Sequence, residues 1–197
     1  MGRLERKREK RKKVWMNVFL AAMFIFIIVG MTLGGIGNFG SSEMKYGKFK
    51  FTIKDNRYVT KINNNEMPFY FLPSQVDGIN VSSVITNKLR EAYLVMLTFD
   101  PEDETNLQVI EVARLDLSYL LGKVIYNGVL TESEEYNLPV LTCANATLKT
   151  PVLIFNTSET TGIVDIDNCI YLNARGTDFL GLRDRLLYSY YGVIQDE

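Results

Sequence analysis

Tyr93-Leu94-Val95-Met96-Leu97-Thr98-Phe99 is an almost wholly apolar run that stops at Asp100-Pro101. A stretch this short and apolar, with turn residues behind it, reads as a strand buried on both faces, the kind a parallel sheet uses. After it, Ile110, Ala113, Leu117, Leu120, Leu121 and Val124 recur at helical spacing and predict a helix over residues 106–125. Before it, Ser82 or Ser83 can cap a short helix that places Ile85, Leu89 and Ala92 on one face. A buried strand between two amphipathic helices is the grammar of an α/β sheet.

Toward the N-terminus the period changes. Lys48-Phe49-Lys50-Phe51-Thr52-Ile53-Lys54 alternates like a half-exposed strand, Asp55-Asn56 turns it, and residues 57–62 return. Asn63-Asn64-Asn65 turns again into the apolar residues 67–72, closed by Pro73, so an antiparallel meander of three strands is expected. Toward the C-terminus, residues 131–137 form an acidic loop, and 140–143, 152–155 and 169–172 read as three short strands. A last helix over 178–191 buries Leu182, Leu186 and Leu187 and is stopped by Gly192. The expected fold class is α/β (or α+β): a small antiparallel β meander, then a mixed sheet flanked by helices, in one domain over 44–197.

Ahead of this domain, residues 3–13 carry a dense basic head, and residues 14–36 contain no charge and only Asn17 as a strongly polar side chain. A hydrocarbon core of about 30 Å takes roughly 20 helical residues to cross, so 14–36 reads as a transmembrane signal anchor. The head places the N-terminus in the cytoplasm and residues 44–197 outside, with 37–43 as a linker. Trp15 sits at the edge where an amphipathic ring suits the headgroups. The competing reading is a cleaved secretory signal, with Gly40-Ser41-Ser42 as the small residues for a peptidase. Gly30 and Gly34 have the spacing through which two membrane helices can approach, so homo-oligomers through them are one expectation.

Eight Lys/Arg against two Glu give the head +6, and the chain's net −1 therefore leaves −7 on the remainder. The head suits anionic lipid headgroups, whereas the mildly acidic domain gives no reason to bind nucleic acid. There is no His in the chain. Ser-His-Asp and Cys-His nucleophile systems and His-ligated zinc are therefore excluded. Cys143 and Cys169 cannot make a thiolate zinc site alone and lack Cys-x-x-Cys spacing. In an exported domain a disulfide between them is the expectation, with a pair of buried free thiols as the alternative. Three sequons, at Asn80, Asn145 and Asn156, fall in the same region and are glycosylation candidates where the host glycosylates.

Few residues suggest chemistry. Asp100, Glu102, Asp103 and Glu104 cluster at the carboxyl end of the buried strand, the edge where open α/β sheets bind ligands. Carboxylates there can hold a divalent cation or act as acid and base, although acids before a helix also serve its dipole. Asp165, Asp167 and Asn168 lack the further ligands and Gly of a calcium loop, and Thr160-Thr161-Gly162 lacks the Lys-Ser or Lys-Thr of a phosphate cradle, so both read as turns. Arg183 and Arg185, with Tyr188 and Tyr191 near the end of the last helix, are candidates for a binding face. For Arg183, Asp184 and Arg185 the alternative is a solvated face or a local ion-pair network.

The order Cys143-Ala144-Asn145-Ala146-Thr147, Thr150-Pro151-Val152-Leu153-Ile154, Asn168-Cys169-Ile170 and Leu182-Arg183-Asp184-Arg185-Leu186-Leu187-Tyr188 resembles small single-pass envelope proteins of archaea. The resemblance implies an archaeal membrane setting and no assigned activity, cofactor or catalytic residue. Together these readings lead to the expectation of a binding or structural module held in the cell envelope, with another envelope or membrane protein as partner. The rival expectation is a membrane-tethered, carboxylate-dependent enzyme, metal-assisted in one version.

Overall fold

The computed structural model describes residues 15–25, 27 and 43–195. The chain divides between Ser41 and Ser42 into two compact units. In the first, residues 15–25 and 27 are helical. Among the described residues no helix is long and apolar enough to cross a membrane. The rest of the expected span over 14–36, the head at 3–13, Gly30, Gly34 and most of the 37–43 linker lie outside the described residues.

The second unit opens with β1 (Met44–Tyr46), β2 (Phe49–Lys54), β3 (Arg57–Ile62) and β4 (Asn65–Phe69), an antiparallel sheet in sequence order. The meander thus has four strands rather than three. Gly47, at φ +53°, supplies the left-handed turn that places the additional strand β1 ahead of the first alternating stretch. The next two hairpins turn on Asp55-Asn56 and Asn63-Asn64, all four residues at positive φ. Two consecutive left-handed residues match the twist of the flanking strands, and Asn and Asp tolerate that conformation best after Gly.

Two helices follow, α1 (Pro73–Val76) and α2 (Ser83–Glu91), the latter capped by Ser82, whose side chain accepts from the Ile85 N–H. Then come β5 (Leu94–Phe99), α3 (Leu107–Leu120), β6 (Val124–Val129), β7 (Val152–Thr157), β8 (Gly162–Ile166), β9 (Cys169–Ala174) and α4 (Asp178–Tyr190). The five strands form one sheet in the order β6-β5-β7-β9-β8, with β8 alone antiparallel to its neighbour. The mixed α/β architecture expected from the sequence is therefore present.

Three local expectations are corrected. The helix expected over 106–125 ends at Leu120, because Gly122 turns the chain at φ +62° and Val124-Ile125-Tyr126 enter β6. Residues 140–143 do not form a strand: Val140 makes a single bridge to Val129, and Cys143–Asn145 is one turn of 3-10 helix. Conversely, Gly162–Ile166 is a strand that turns into β9 through Asp167 and Asn168 at φ +49° and +69°.

One face of the larger sheet carries Val95, Leu97, Phe99, Leu153, Phe155, Ile170 and Leu172 into a core shared with Ile85, Leu89, Ile110, Leu117, Leu182 and Leu186 from the helices. The small sheet joins the same core through Phe51 and Phe69. The Phe69 ring stacks on Tyr188 of α4 with centroids 4.2 Å apart. The helices α1 to α4 of this unit all contribute to that core, and the opposite face of the larger sheet is covered differently. Its centre is a small second cluster of Val152, Ile154 and Cys169, with Met96, Leu130, Cys143, Ala146 and Tyr171 packed around it.

The chain between β6 and β7 supplies that cover. It first loops out and then lies parallel beside the end of β6, where Val129 N–H donates to Pro139 O at 3.0 Å and Leu141 N–H donates to Val129 O at 2.8 Å. Gly128 lies under this return, and a Cβ there would stand 2.6 Å from the Pro139 oxygen. Gly128→Ala should therefore push residues 139–141 off the strand and cost about 1–3 kcal/mol, read as a lowered denaturant midpoint.

Candidate functional site

The acidic cluster does sit at the carboxyl end of β5, where the chain's connections diverge to opposite sides between β5 and β7. Its carboxylates do not converge. Asp100 Oδ1 accepts from the Glu102 N–H at 3.0 Å, closing a turn. Asp103 accepts from Asn106 Nδ2 at 3.0 and 3.1 Å and from the Thr157 hydroxyl. Asn106, almost fully buried, also donates to Thr157 Oγ1 at 2.9 Å and accepts from the Gly176 N–H at 2.8 Å. These bonds tie the start of α3 to the ends of β7 and β9, while Glu102 and Glu104 point into solvent. Among the described residues no three His, Cys, Asp or Glu are grouped to hold a metal ion. Asp100, Glu102, Asp103 and Glu104 are therefore not brought together as one set of ligands in this arrangement.

The charged residues of α4 are placed opposite to a solvated surface. Arg183 and Asp184 are fully buried, Arg185 is 3% exposed and Tyr188 is fully buried. Arg183 bonds Asp184 and the Pro68 carbonyl, lies 3.3 Å from Asp116, and stands over the rings of Phe69 and Tyr70. Asp184 Oδ2 accepts from the N–H groups of Tyr70 and Phe71 at 2.7 and 2.8 Å, and the Tyr188 hydroxyl donates to Phe71 O at 2.7 Å. Arg57 completes the group by donating to the Tyr70 hydroxyl at 2.6 Å. Burial raises the Asp184 carboxyl to about 6 against the pull of Arg183 and the two N–H groups. The network joins the end of β4 to α4. Arg185 bonds the Ile79 carbonyl at 2.7 Å, and Tyr191, half-exposed, donates to Leu120 O. These side chains hold elements together and offer little surface to a partner.

Cys143 and Cys169 are joined in a disulfide, with Cα atoms 5.6 Å apart. In the chain-entropy account, closing a loop with a sequence separation of 26 is worth about 3.5 kcal/mol. The three sequons differ in placement. Asn80 is exposed in the loop before α2, and Asn145 is exposed on the 3-10 turn, where only its Oδ1 is engaged, by the Thr142 N–H at 2.9 Å. Asn156 lies within β7 and donates its Nδ2, the atom a glycan would occupy, to Asn173 Oδ1 at 2.7 Å.

The surface feature that sequence reading missed is on α3. Its core stripe is Ile110, Ala113 and Leu117, yet Val112, Leu115 and Tyr119 are 40%, 56% and 77% exposed. At spacings of three and four they form a second apolar stripe on the helix's other side. The signal was legible as a helix apolar nearly all round, but it was absorbed by extending the core pattern into residues that belong to β6. No match to this chain is found among protein-family models, curated proteins or solved structures. The surface itself must therefore carry the functional reading.

Proposed function

We propose that the chain is a single-pass envelope protein whose disulfide-bonded domain, outside the cytoplasm, binds another envelope or membrane protein through the exposed stripe of α3. The carrying observation is Val112, Leu115 and Tyr119 standing in solvent on a helix that already buries its opposite side. Contiguous apolar surface of that kind marks interaction sites more often than it marks an idle surface. The disulfide suits an oxidising compartment, and the basic head before residues 14–36 suits a cytoplasmic N-terminus. The archaeal resemblance of the Cys143–Tyr188 segments agrees with that setting.

A photoreactive side chain at position 119 of the full chain, in membranes of its own host, should give one discrete protein adduct. Leu115→Glu should abolish it, and the same probe at Lys54, on the small sheet, should give none. No adduct from position 119, or one indifferent to Leu115→Glu, would contradict the proposed face.

A further inference from the structure

The disulfide occupies an unusual position in the hydrogen-bond pattern. Residue 141 is pinned by its N–H to Val129, and at the other end the Lys149 carbonyl accepts from the Tyr93 N–H at 3.1 Å. Between these points the bonds of residues 142–148 close on the segment and its adjoining turn. Asn145 N–H donates to Thr142 O, Ala146 N–H to Cys143 O, and Thr147 and Thr150 bond each other. The one exception is the Tyr171 hydroxyl, 3.1 Å from Cys143 Sγ. Leu148 is 69% exposed and contributes little cover. The segment is therefore held to the sheet by the Cys143–Cys169 bond, by Tyr171 and by the packing of Cys143 and Ala146 on Val152 and Ile154.

We propose that this disulfide is a redox latch. Its reduction releases residues 142–148 as a flap and uncovers Val152 and Ile154, while the main core stays folded. Those two side chains belong to the second cluster and not to the large core. The pairing register puts them on the same face as Tyr126, Val164 and Ile166, which are already exposed, so an open flap joins separate apolar positions into one surface. The co-reactant is a dithiol. Its thiolate attacks Cys143 Sγ, because Cys169 is fully buried, and the Cys169 thiolate leaves. The second thiol of the reagent then displaces Cys143 from the mixed disulfide. The dithiol ends as a disulfide, and the protein gains two electrons and two protons.

Hydrogen exchange read by mass spectrometry on the full chain in detergent, oxidised and after dithiothreitol, tests the latch. Amides of 142–148 should exchange about tenfold faster or more once reduced, whereas Leu94–Phe99, Leu107–Leu120 and Asp178–Tyr190 keep their protection. Cys143→Ala should reproduce the open pattern without reagent while leaving the buried Cys169 side chain in place. Unchanged exchange at 142–148 in both the reduced protein and the variant would show that packing alone holds the segment. Protection lost throughout the domain would show that the bond maintains the whole fold. Either result overturns the latch.

Discussion

Replacing Asp184 with alanine is expected to cost about 3–5 kcal/mol of folding stability, the range for stripping one partner from a buried ion pair. The loss has two parts. Arg183, fully buried, would keep only Asp116 at 3.3 Å as a carboxylate. The N–H groups of Tyr70 and Phe71 would lose their acceptor inside the protein. Asp184→Asn should cost less, since an amide oxygen still accepts from those N–H groups. Denaturant unfolding of both variants gives the comparison, and equal losses would mean the retained acceptor contributes nothing beyond the charge. The same residue sets a pH dependence. Its carboxyl is raised from 3.8 to about 6 on folding, so its contribution is fully present below about pH 4 and is lost as pH rises through 6. By linkage, acidification through that window is stabilising. The stability of Asp184→Asn should lack this component between pH 4 and 7, and identical pH profiles for variant and parent would contradict the assignment.

Phe69→Ala is the second large effect, about 3–5 kcal/mol for truncating a fully buried aromatic. Phe69 is the joint between the two sheets. Its ring stacks on Tyr188 at 4.2 Å, meets Phe51 edge-on at 6.4 Å, and has the Arg183 guanidinium 5.7 Å from its centroid. Alanine leaves a cavity between the meander and α4 and removes the ring under the cation. Ile53→Ala, in the same meander but 55% exposed, should change stability by about 0.5 kcal/mol or less. Phe69 and Asp184 both contact Arg183, so the double variant should depart from additivity. Similar small losses for Phe69→Ala and Ile53→Ala would mean that the small sheet is not docked on α4.

The parts of the fold readable from sequence were those set by local rules. Ser82 caps its helix, the Asp-Asn and Asn-Asn pairs turn their hairpins, and Leu94 to Phe99 is a largely buried strand because nothing charged interrupts it. Misreadings arose where a tertiary partner decides the outcome. Val124 fits the helical period after Leu117 and Leu121, but Gly122 breaks the helix and the edge of β5 recruits residues 124–129 into the sheet. The 140–143 segment has strand composition, yet the disulfide draws it across the sheet and only Val140 pairs. For Arg183 and Asp184 the ion-pair alternative is the one present, but its burial was not legible, because sequence cannot show that β4 ends beside them with two backbone N–H groups to satisfy. The candidate site was legible only as a setting. The acidic cluster was placed at the right sheet edge, but Asn106 and Thr157 consume Asp103, and the α3 stripe emerges only once the helix's buried side is known.

The most direct test of an anchored, exported binding module is non-reducing mass spectrometry of the full-length chain from its host's membranes. The account predicts a Cys143–Cys169 linked peptide, an intact N-terminus, and glycan on Asn80 or Asn145 and none on Asn156. Free thiols and bare asparagines in a membrane-bound chain would contradict it and place the domain on the cytoplasmic side.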